Sequence, residues 1–347
     1  MLVDSPPEQR AETAPAPPTR RAARAFGFLL SVAILVLVAV ASIAVGAKAL
    51  SLDQVWHGLF HDTGTYGDVV VDERLARTAL GLLVGAALGL AGAVLQALTR
   101  NPLADPGLLG INAGASAAVV TAISFFGVTS LTGYVWFAFL GAAAVGALVW
   151  FLGGSRGATP VRLALAGTAI SAALYGYLQA VMILDDAALS RMRFWTVGSL
   201  ASATDSTIVQ VLPFLAVGTV LALVLARPLN AVEMGDDTAH ALGADLNRTR
   251  ALAMLAATVL CGAATAACGP ILFVGLMVPH VVRSFTGPDL RWILPYATVL
   301  SPVLLLGADV IGRIAARPSE LQVGIVTAVI GGPVFIHLVR RRRTAQL

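Results

Sequence analysis

The sequence predicts an all-α polytopic membrane protein of about ten transmembrane helices. Of its 347 residues, 57% are apolar and only 12% charged, where a soluble domain runs nearer half and a quarter. Mean hydropathy is +0.83. The apolar residues are gathered into eight stretches free of Asp, Glu, Lys and Arg, and their total of about 198 suffices for roughly ten spans at ~20 residues each. This composition excludes a cytosolic enzyme and points away from nucleic acid as a partner, despite a pI near 9.5.

In chain order, residues 1–24 are rich in Pro, Ala, Glu and Arg without hydrophobic periodicity, and are expected to form a disordered tail. The apolar domain then runs over 25–345. Its first uncharged stretch, 25–47, has no convincing small-residue cleavage site and is read as a retained span. The stretch 78–99 is the second span. The 50-residue stretch 106–155 must fold back on itself, with Gly127-Val128-Thr129-Ser130 as the turn. Next come 163–184, a 21-residue segment Asp185–Asp205 too polar to span, and 206–226. The 32-residue stretch 251–282 would make a helix of ~48 Å, too long for a ~30 Å hydrocarbon core. Gly269-Pro270 interrupts it, so a helix over 251–267 is expected, followed by a short one from Pro270 to Arg283. The stretches 292–308 and 321–339 complete the set. Two of the eight stretches count double, giving ten helices.

An even number places both termini on one side. With that side cytoplasmic, sixteen of the 23 Lys and Arg residues lie inside, eight of them in the two tails, as the positive-inside bias favours. Cys261 and Cys268 are seven apart in one apolar stretch. On a helix that is ~10 Å, beyond disulfide reach, and both read as packing residues.

Four segments break the run of Ala, Leu, Val and Gly: Arg74-Leu75-Ala76-Arg77; Asn101-Pro102-Leu103-Ala104-Asp105-Pro106-Gly107-Leu108-Leu109-Gly110; Met234-Gly235-Asp236-Asp237-Thr238-Ala239-His240-Ala241-Leu242-Gly243; and Gly269-Pro270-Ile271-Leu272-Phe273-Val274-Gly275-Leu276-Met277-Val278-Pro279-His280. The third has helix start and stop signals at Gly235 and Gly243, with Asp236 and Asp237 placed favourably against the helix dipole. It predicts a short helix over 236–242 in the loop 227–249, and by itself reads equally as a solvated surface turn. The second and fourth put Pro, Gly and broken helices at corresponding places in two halves of opposite orientation. Paired broken segments mark substrate paths in transporters, which makes Asn101, Pro102, Asp105, Gly107, Gly269, Pro270 and Pro279 candidates for the path. The competing reading is helix packing, with Asn101, Asp105 and Gly107 setting a turn. His280 is expected to bond backbone freed by Pro279. Asp309 is the only acid well inside a span. Arg313, four residues on, offers it a local ion pair, against a proton-relay role. His57 and His61 are an i, i+4 pair that could face a metal ion, but no further ligand at suitable spacing completes a site.

Together these segments resemble the permease family of ATP-binding-cassette importers for iron–siderophore complexes, haem and cobalamin, over about residues 26–345. Leu272 stands where that family usually has a small residue, and Val232-Glu233 where it tends to be apolar or small. The resemblance implies that Gly235, Asp236, Asp237, Thr238, Ala239, His240, Ala241, Leu242 and Gly243 form a coupling helix that docks on an ATPase subunit. It implies that Arg74, Arg77 and Arg313 receive acidic knobs of a substrate-binding protein, where lipid anchoring is the competing reading of such outer cations. It places a short gating helix with Met192 and Trp195 at the outer mouth, against an aromatic-belt reading of Trp195. The implied partners are a second permease subunit (identical or not), two ATP-binding subunits carrying ATP and Mg, an extracytoplasmic binding protein and membrane lipid.

The chain has no G-x-x-x-x-G-K-[ST] phosphate cradle, H-E-x-x-H or G-x-S-x-G. The reading is therefore a transport subunit rather than an enzyme, with no cofactor or metal of its own. An ion-driven secondary transporter needs polar groups at mid-membrane, and Asp309 alone serves that poorly.

Overall fold

The computed structural model describes residues 20–48, 50–60, 64–154 and 160–344. Among them there is no strand. The helices are α1 (Arg20–Ala44), α2 (Leu52–Phe60), α3 (Tyr66–Thr99), α4 (Ile111–Phe126), α5 (Leu131–Gly154), α6 (Pro160–Leu184), α7 (Asp186–Trp195), α8 (Asp205–Val224), α9 (Ala226–Glu233), α10 (Asp236–Ala241), α11 (Leu246–Cys268), α12 (Val274–Thr286), α13 (Leu290–Ala315) and α14 (Val323–Thr344). Seven of these, α1, α3, α5, α6, α8, α11 and α13, are long and apolar enough to cross a membrane. The shorter apolar α4 and α14, with the 13-residue α12, bring the number to the expected ten.

Helices α3 and α11 form the centre, each with 78% of its most apolar window buried, while α1 at the edge has 11%. Burial of α3 depends on glycine. Gly81, Gly85 and Gly89 recur every four residues, so they share one ridge, and that ridge lies directly on α13. A Cβ at Gly85 would stand 2.6 Å from Pro302 Cα, and one at Gly89 2.8 Å from Ala297 O. At Gly92 it would overlap the carbonyl of Gly275 in α12. Phe26, Leu29, Leu37 and Val40 on α1 are exposed, as a lipid-facing helix requires.

Several boundaries depart from expectation. Helix α1 starts at Arg20, inside the expected tail, of which residues 1–19 lie outside the described residues. Helix α3 begins at Tyr66 rather than at 78, because the charged stretch Asp68–Arg77 is helical too; the Asp68 carboxylate accepts from the Thr65 N–H at 3.0 Å and caps it. Helix α11 starts at Leu246, where Asp245 Oδ1 accepts from the Arg248 N–H. Helix α12 starts at Val274, not Pro270: Gly269 and Phe273 both take positive φ, 74° and 70°, and hold the residues between them out of helix. The turn over 127–130 falls where expected, between α4 and α5.

Helices α3 and α11 run in opposite directions, and each leads into a broken segment and then a shortened helix, α4 or α12. The bundle therefore has one end carrying α10, where the start of α1 also lies, and an opposite end carrying α2 and the end of α13. The glycine contacts predict that Gly92→Ala lowers stability by about 1–3 kcal/mol through overpacking. Gly307→Ala, in α13 with nothing within 4 Å of its added methyl, should be neutral or slightly stabilising. Thermal unfolding of the purified protein in detergent checks both.

Candidate functional site

At the α10 end, Gly235 sits at φ 112°, a conformation that lets α9 turn sharply into α10 and that side chains rarely adopt. Ala239 faces inward with Val232 and Leu246 in a small satellite core. Outward, α10 and its flanks present Met234 and Leu242, exposed by 65% and 64%, with Asp237, Thr238, His240, Ala241 and Gly243. Asp236 does more than favour the helix dipole. Its carboxylate lies between Arg250 of α11, whose Nη2 donates at 2.8 and 2.9 Å, and Arg100, whose Nη2 also donates to it. The Arg100 hydrogen bond, then that of Arg250, holds the Asp236 carboxyl below the usual carboxylate range.

Three more bonds fasten the same loop. Arg100 Nε donates to Val232 O at 2.7 Å, Arg283 Nη2 of α12 donates to Glu233 Oε1 at 2.8 Å, and Asn230 Nδ2 donates to Asp289 Oδ1 at 2.8 Å. The Leu290 N–H at the start of α13 donates back to Asn230 Oδ1 at 2.9 Å. The loop is thus tied to the ends of α3, α11, α12 and α13. Between these ties lies a cleft of about 540 Å³ lined by Gln96, Arg100, Pro102, Glu233, Arg283 and Asp289, among others. The atypical Val232-Glu233 pair is accommodated, Val232 by full burial and Glu233 by Arg283. Arg100, Asn230, Arg250 and Arg283 escaped the sequence reading. For the three arginines the signal was a cation at the edge of an apolar stretch beside a loop rich in acids; Asn230 gave none.

Farther inside, the two broken segments meet. A Cβ on Gly275 would lie 3.5 Å from Pro106 Cδ, and one on Gly107 3.5 Å from Leu272 Cδ2. Asn101 Oδ1 accepts from the Leu103 N–H at 3.0 Å and Asp105 Oδ1 from the Gly107 N–H at 2.7 Å, so both side chains set the turn that enters a 3₁₀ helix over Pro106–Leu109. Pro279 has no N–H to give the Gly275 carbonyl. Gln96 Nε2 supplies one, donating to Gly275 O at 3.3 Å and Leu276 O at 3.0 Å. Asn112 Oδ1 joins α4 to α11 by accepting from Thr265 Oγ1 at 2.9 Å. Gly269 packs under the Trp195 carbonyl, and the Ser199 N–H donates to Cys268 O at 2.8 Å.

The candidate path residues therefore divide. Pro270, with Leu272, borders a cleft of about 520 Å³ against Tyr175 and Ile325. Asn101 and Asp105 border another of about 340 Å³ against Leu165 and Thr168. Pro279 and Met192 are buried, and Trp195 is half-buried.

At the α2 end, the three arginines expected to meet a binding protein have partners within the chain. Arg77 Nε donates to both Asp309 oxygens at 3.1 and 3.0 Å and its Nη2 to Oδ1 at 2.7 Å, while Nη1 reaches Glu320 at 2.6 Å. Arg313, 1% exposed, pairs with Asp309 at 3.1 Å, as its i, i+4 spacing suggested, and donates to Ser42 O at 2.8 Å. Arg74, 6% exposed, donates to the carbonyls of Ile43, Ala44 and Lys48. These guanidiniums close the C-terminus of α1 and join it to α3 and α13, where cations suit the helix dipole. Arg74 and Arg313 are turned inward, away from an approaching carboxylate, and Arg77 is already occupied by two. His57 Nδ1 stands 3.8 Å from Asp68, and His61 lies outside the described residues.

The sequence pattern of the FecCD transport family matches residues 34–341. The chain is 46% identical over 313 residues to the ferric enterobactin transport system permease protein FepD of Escherichia coli (strain K12), covering 89% of this chain and 93% of that protein. It is 38% identical to the Fe(3+)-citrate import system permease protein YfmD of Bacillus subtilis (strain 168), covering 93% and 97%, and 38% identical to the hemin transport system permease protein HmuU of Yersinia pestis, covering 91% and 95%. Among solved structures, an inward-facing conformation of a metal-chelate type ABC transporter matches with a TM-score of 0.79 at 28% identity, covering 91% of this chain and 98% of that one.

The two ends predict different sensitivities. Removing one member of the buried group, by Arg77→Ala or Asp309→Asn, should cost about 3–5 kcal/mol, whereas Glu320→Gln at the exposed rim should cost less than about 1 kcal/mol. Thermal unfolding in detergent reads both. At the α10 end, the depressed carboxyl of Asp236 makes its contribution full above the ordinary carboxylate range, lost only as pH falls through the lowered value. The protection of residues 234–243 against hydrogen exchange, with the pH dependence of the intrinsic rate divided out, should fall at acid pH and stay constant from about pH 6 to about pH 8, since the unperturbed carboxyl lies at ~4.

Proposed function

The chain belongs to the FecCD transport family, and from that premise we propose that it is the permease subunit of an ABC importer that brings iron–siderophore complexes into the cytoplasm. It is a multi-pass inner-membrane protein whose α10 end faces the cytoplasm, with both termini on that side. The sixteen basic residues assigned to that side support this orientation. The observation that carries the functional reading is the exposed α10, fastened by ionic and amide ties to the ends of four bundle helices.

A separate pair of ATP-binding subunits, holding ATP and Mg, docks on the surface around Met234, Leu242 and His240. When those subunits close, displacement of α10 passes through Asp236 to α3 and α11, through Glu233 to α12, and through Asn230 to α13. Charge-assisted bonds resist stretching better than neutral ones, which suits them to transmit such a displacement. Helix α12 packs on α3 through the Gly92–Gly275 contact, so movement of either reaches both broken segments. Those segments and their clefts near Pro270 and Asp105 border the path of the chelate. A second permease subunit completes the path, and a substrate-binding protein delivers cargo at the α2 end. This chain hydrolyses nothing and holds no cofactor of its own. The higher identity to the ferric enterobactin permease, 46% against 38% for the hemin permease, favours a siderophore over haem.

Gly235→Pro cannot adopt the required φ, and Asp236→Lys places three cations together. Each should reach the membrane in normal amount yet cut ferric-siderophore uptake to about a tenth or less, as losing two charge-assisted bonds implies. Uptake of a radiolabelled ferric siderophore by cells lacking their own permease reads this, alongside the amount of protein in the membrane. Wild-type-level uptake by Asp236→Lys would remove α10 from the coupling role.

A further inference from the structure

Where α1 meets α13, at the α10 end, the two helices border a fourth cleft, of about 640 Å³, that the transport reading does not use. Arg21, Arg24 and Arg291 stand at its polar rim, Trp292 lies beside them, and Phe28 and Pro295 form its apolar floor. Arg24 and Arg291 are the last charges before the uncharged stretches 25–47 and 292–308, so the cleft straddles the plane at which charge gives way to hydrocarbon. Tyr296 Oη donates to the Arg24 carbonyl at 2.5 Å, and the rings of Phe28 and Phe285 meet Tyr296 edge-on at 5.4 and 5.3 Å. This packing fixes the backbone of Arg24 and sets its guanidinium over the Trp292 ring at 5.9 Å.

The charges of the cleft do not cancel. Asp289 is its one carboxylate, and Asp289 is engaged by Arg291 at 3.0 Å and by Asn230 at 2.8 Å. Arg21 and Arg24 meet no carboxylate within 4 Å among the described residues. Two guanidiniums over an apolar floor at a membrane boundary match a phosphate that carries acyl chains: the forks suit phosphate oxygens, the indole suits the boundary, and the leaflet on this side is rich in anionic lipid. We propose that this cleft binds an anionic glycerophospholipid, its phosphate held by Arg21 and Arg24 and its upper acyl carbons lying on Phe28 and Pro295. The bound lipid ties α1, the helix least buried by protein among the central spans and edge helix compared above, to α13. The proposal rests on the membrane-spanning fold and on the cytoplasmic placement of the α10 end proposed above, and needs nothing of the cargo or of the ATPase.

The test is native mass spectrometry of the purified full chain in detergent, titrated with phosphatidylglycerol or with phosphatidylcholine of the same acyl chains. Wild type should hold one phosphatidylglycerol about tenfold more tightly than phosphatidylcholine, a difference of about 1.4 kcal/mol. Arg21→Gln/Arg24→Gln should lose that preference, Arg21→Lys/Arg24→Lys should keep part of it, and Arg227→Gln, an exposed cation of α9 at the same end, should keep all of it. Inorganic phosphate at millimolar concentration should neither displace the lipid nor raise the unfolding temperature. Equal binding of the two lipids by wild type would overturn the proposal whether or not the double variant folds. Equal loss in Arg227→Gln would reduce the effect to diffuse attraction, and stabilisation by phosphate alone would make this a free-anion site; either result also overturns it.

Discussion

Inside hydrocarbon a backbone polar group has no water to turn to, so every interruption of a helix must be answered by the protein itself. The interior of this molecule is organised around that requirement. Pro279 leaves the Gly275 carbonyl without its helical donor, and Gln96 from α3 provides one. The end of α11 is met by the Ser199 N–H, and Gly198 accepts from the Gly324 N–H at the start of α14. The turn after α3 is closed by its own Asn101 and Asp105 side chains. Each answer needs close approach, which is why glycine stands at Gly92, Gly198, Gly269 and Gly275. A Cβ at any of these would run into neighbouring backbone.

The two charged ends use the same chemistry at different depths, and depth decides what each can do. Asp309 is 0% exposed and shared by two arginines. Opening that group strands a buried charge, so it acts as a fixed brace between α1, α3 and α13. Asp236 is 46% exposed. Water can replace either arginine there at small cost, so its bonds hold the loop in register without locking it. A bundle braced at one end and yielding at the other can tilt its helices about the brace, which is the kind of motion alternating access requires.

Much of this was legible from the absence of charge alone. Uncharged stretches located the ten apolar helices and the turn between α4 and α5, because desolvating a charge in lipid is costly enough to dominate composition. The same criterion failed where a helix continues past the hydrocarbon, as α3 does from Tyr66 to Arg77, and it is silent on the helical character of α9. Arg74, Arg77 and Arg313 stand out by their place in a motif, but their intrachain partners lie far along the chain. Asp309 is 232 residues from Arg77, and Ser42 is 271 from Arg313. Sequence spacing could expose the Asp309–Arg313 pair, four apart on one helix, and not the larger group into which it fits. Gln96 was available as a clue, being a lone amide near the end of an apolar span, and such an amide asks for a backbone partner.

The two halves are alike in plan yet unequal in how their breaks are built. After α3 the chain turns through residues 100–110 using polar side chains together with positive φ at Arg100 and Gly110, and recovers 16 residues of helix in α4. After α11 it passes through Gly269–Phe273 using positive φ and recovers only 13 in α12. The shorter helix is the one tied to the loop that carries α10, through Arg283 and Glu233, and it is also the one seated glycine-to-glycine on α3. A short helix with a non-helical entry, held at its far end by an ion pair 15–23% exposed, is the element of this fold best able to shift as a unit. Leu272 lies within that entry, half out of the protein and against the segment from the other half. Displacement of α12 would therefore move an apolar side chain at the meeting point of the two breaks, so a push on the loop would reach the path proposed there.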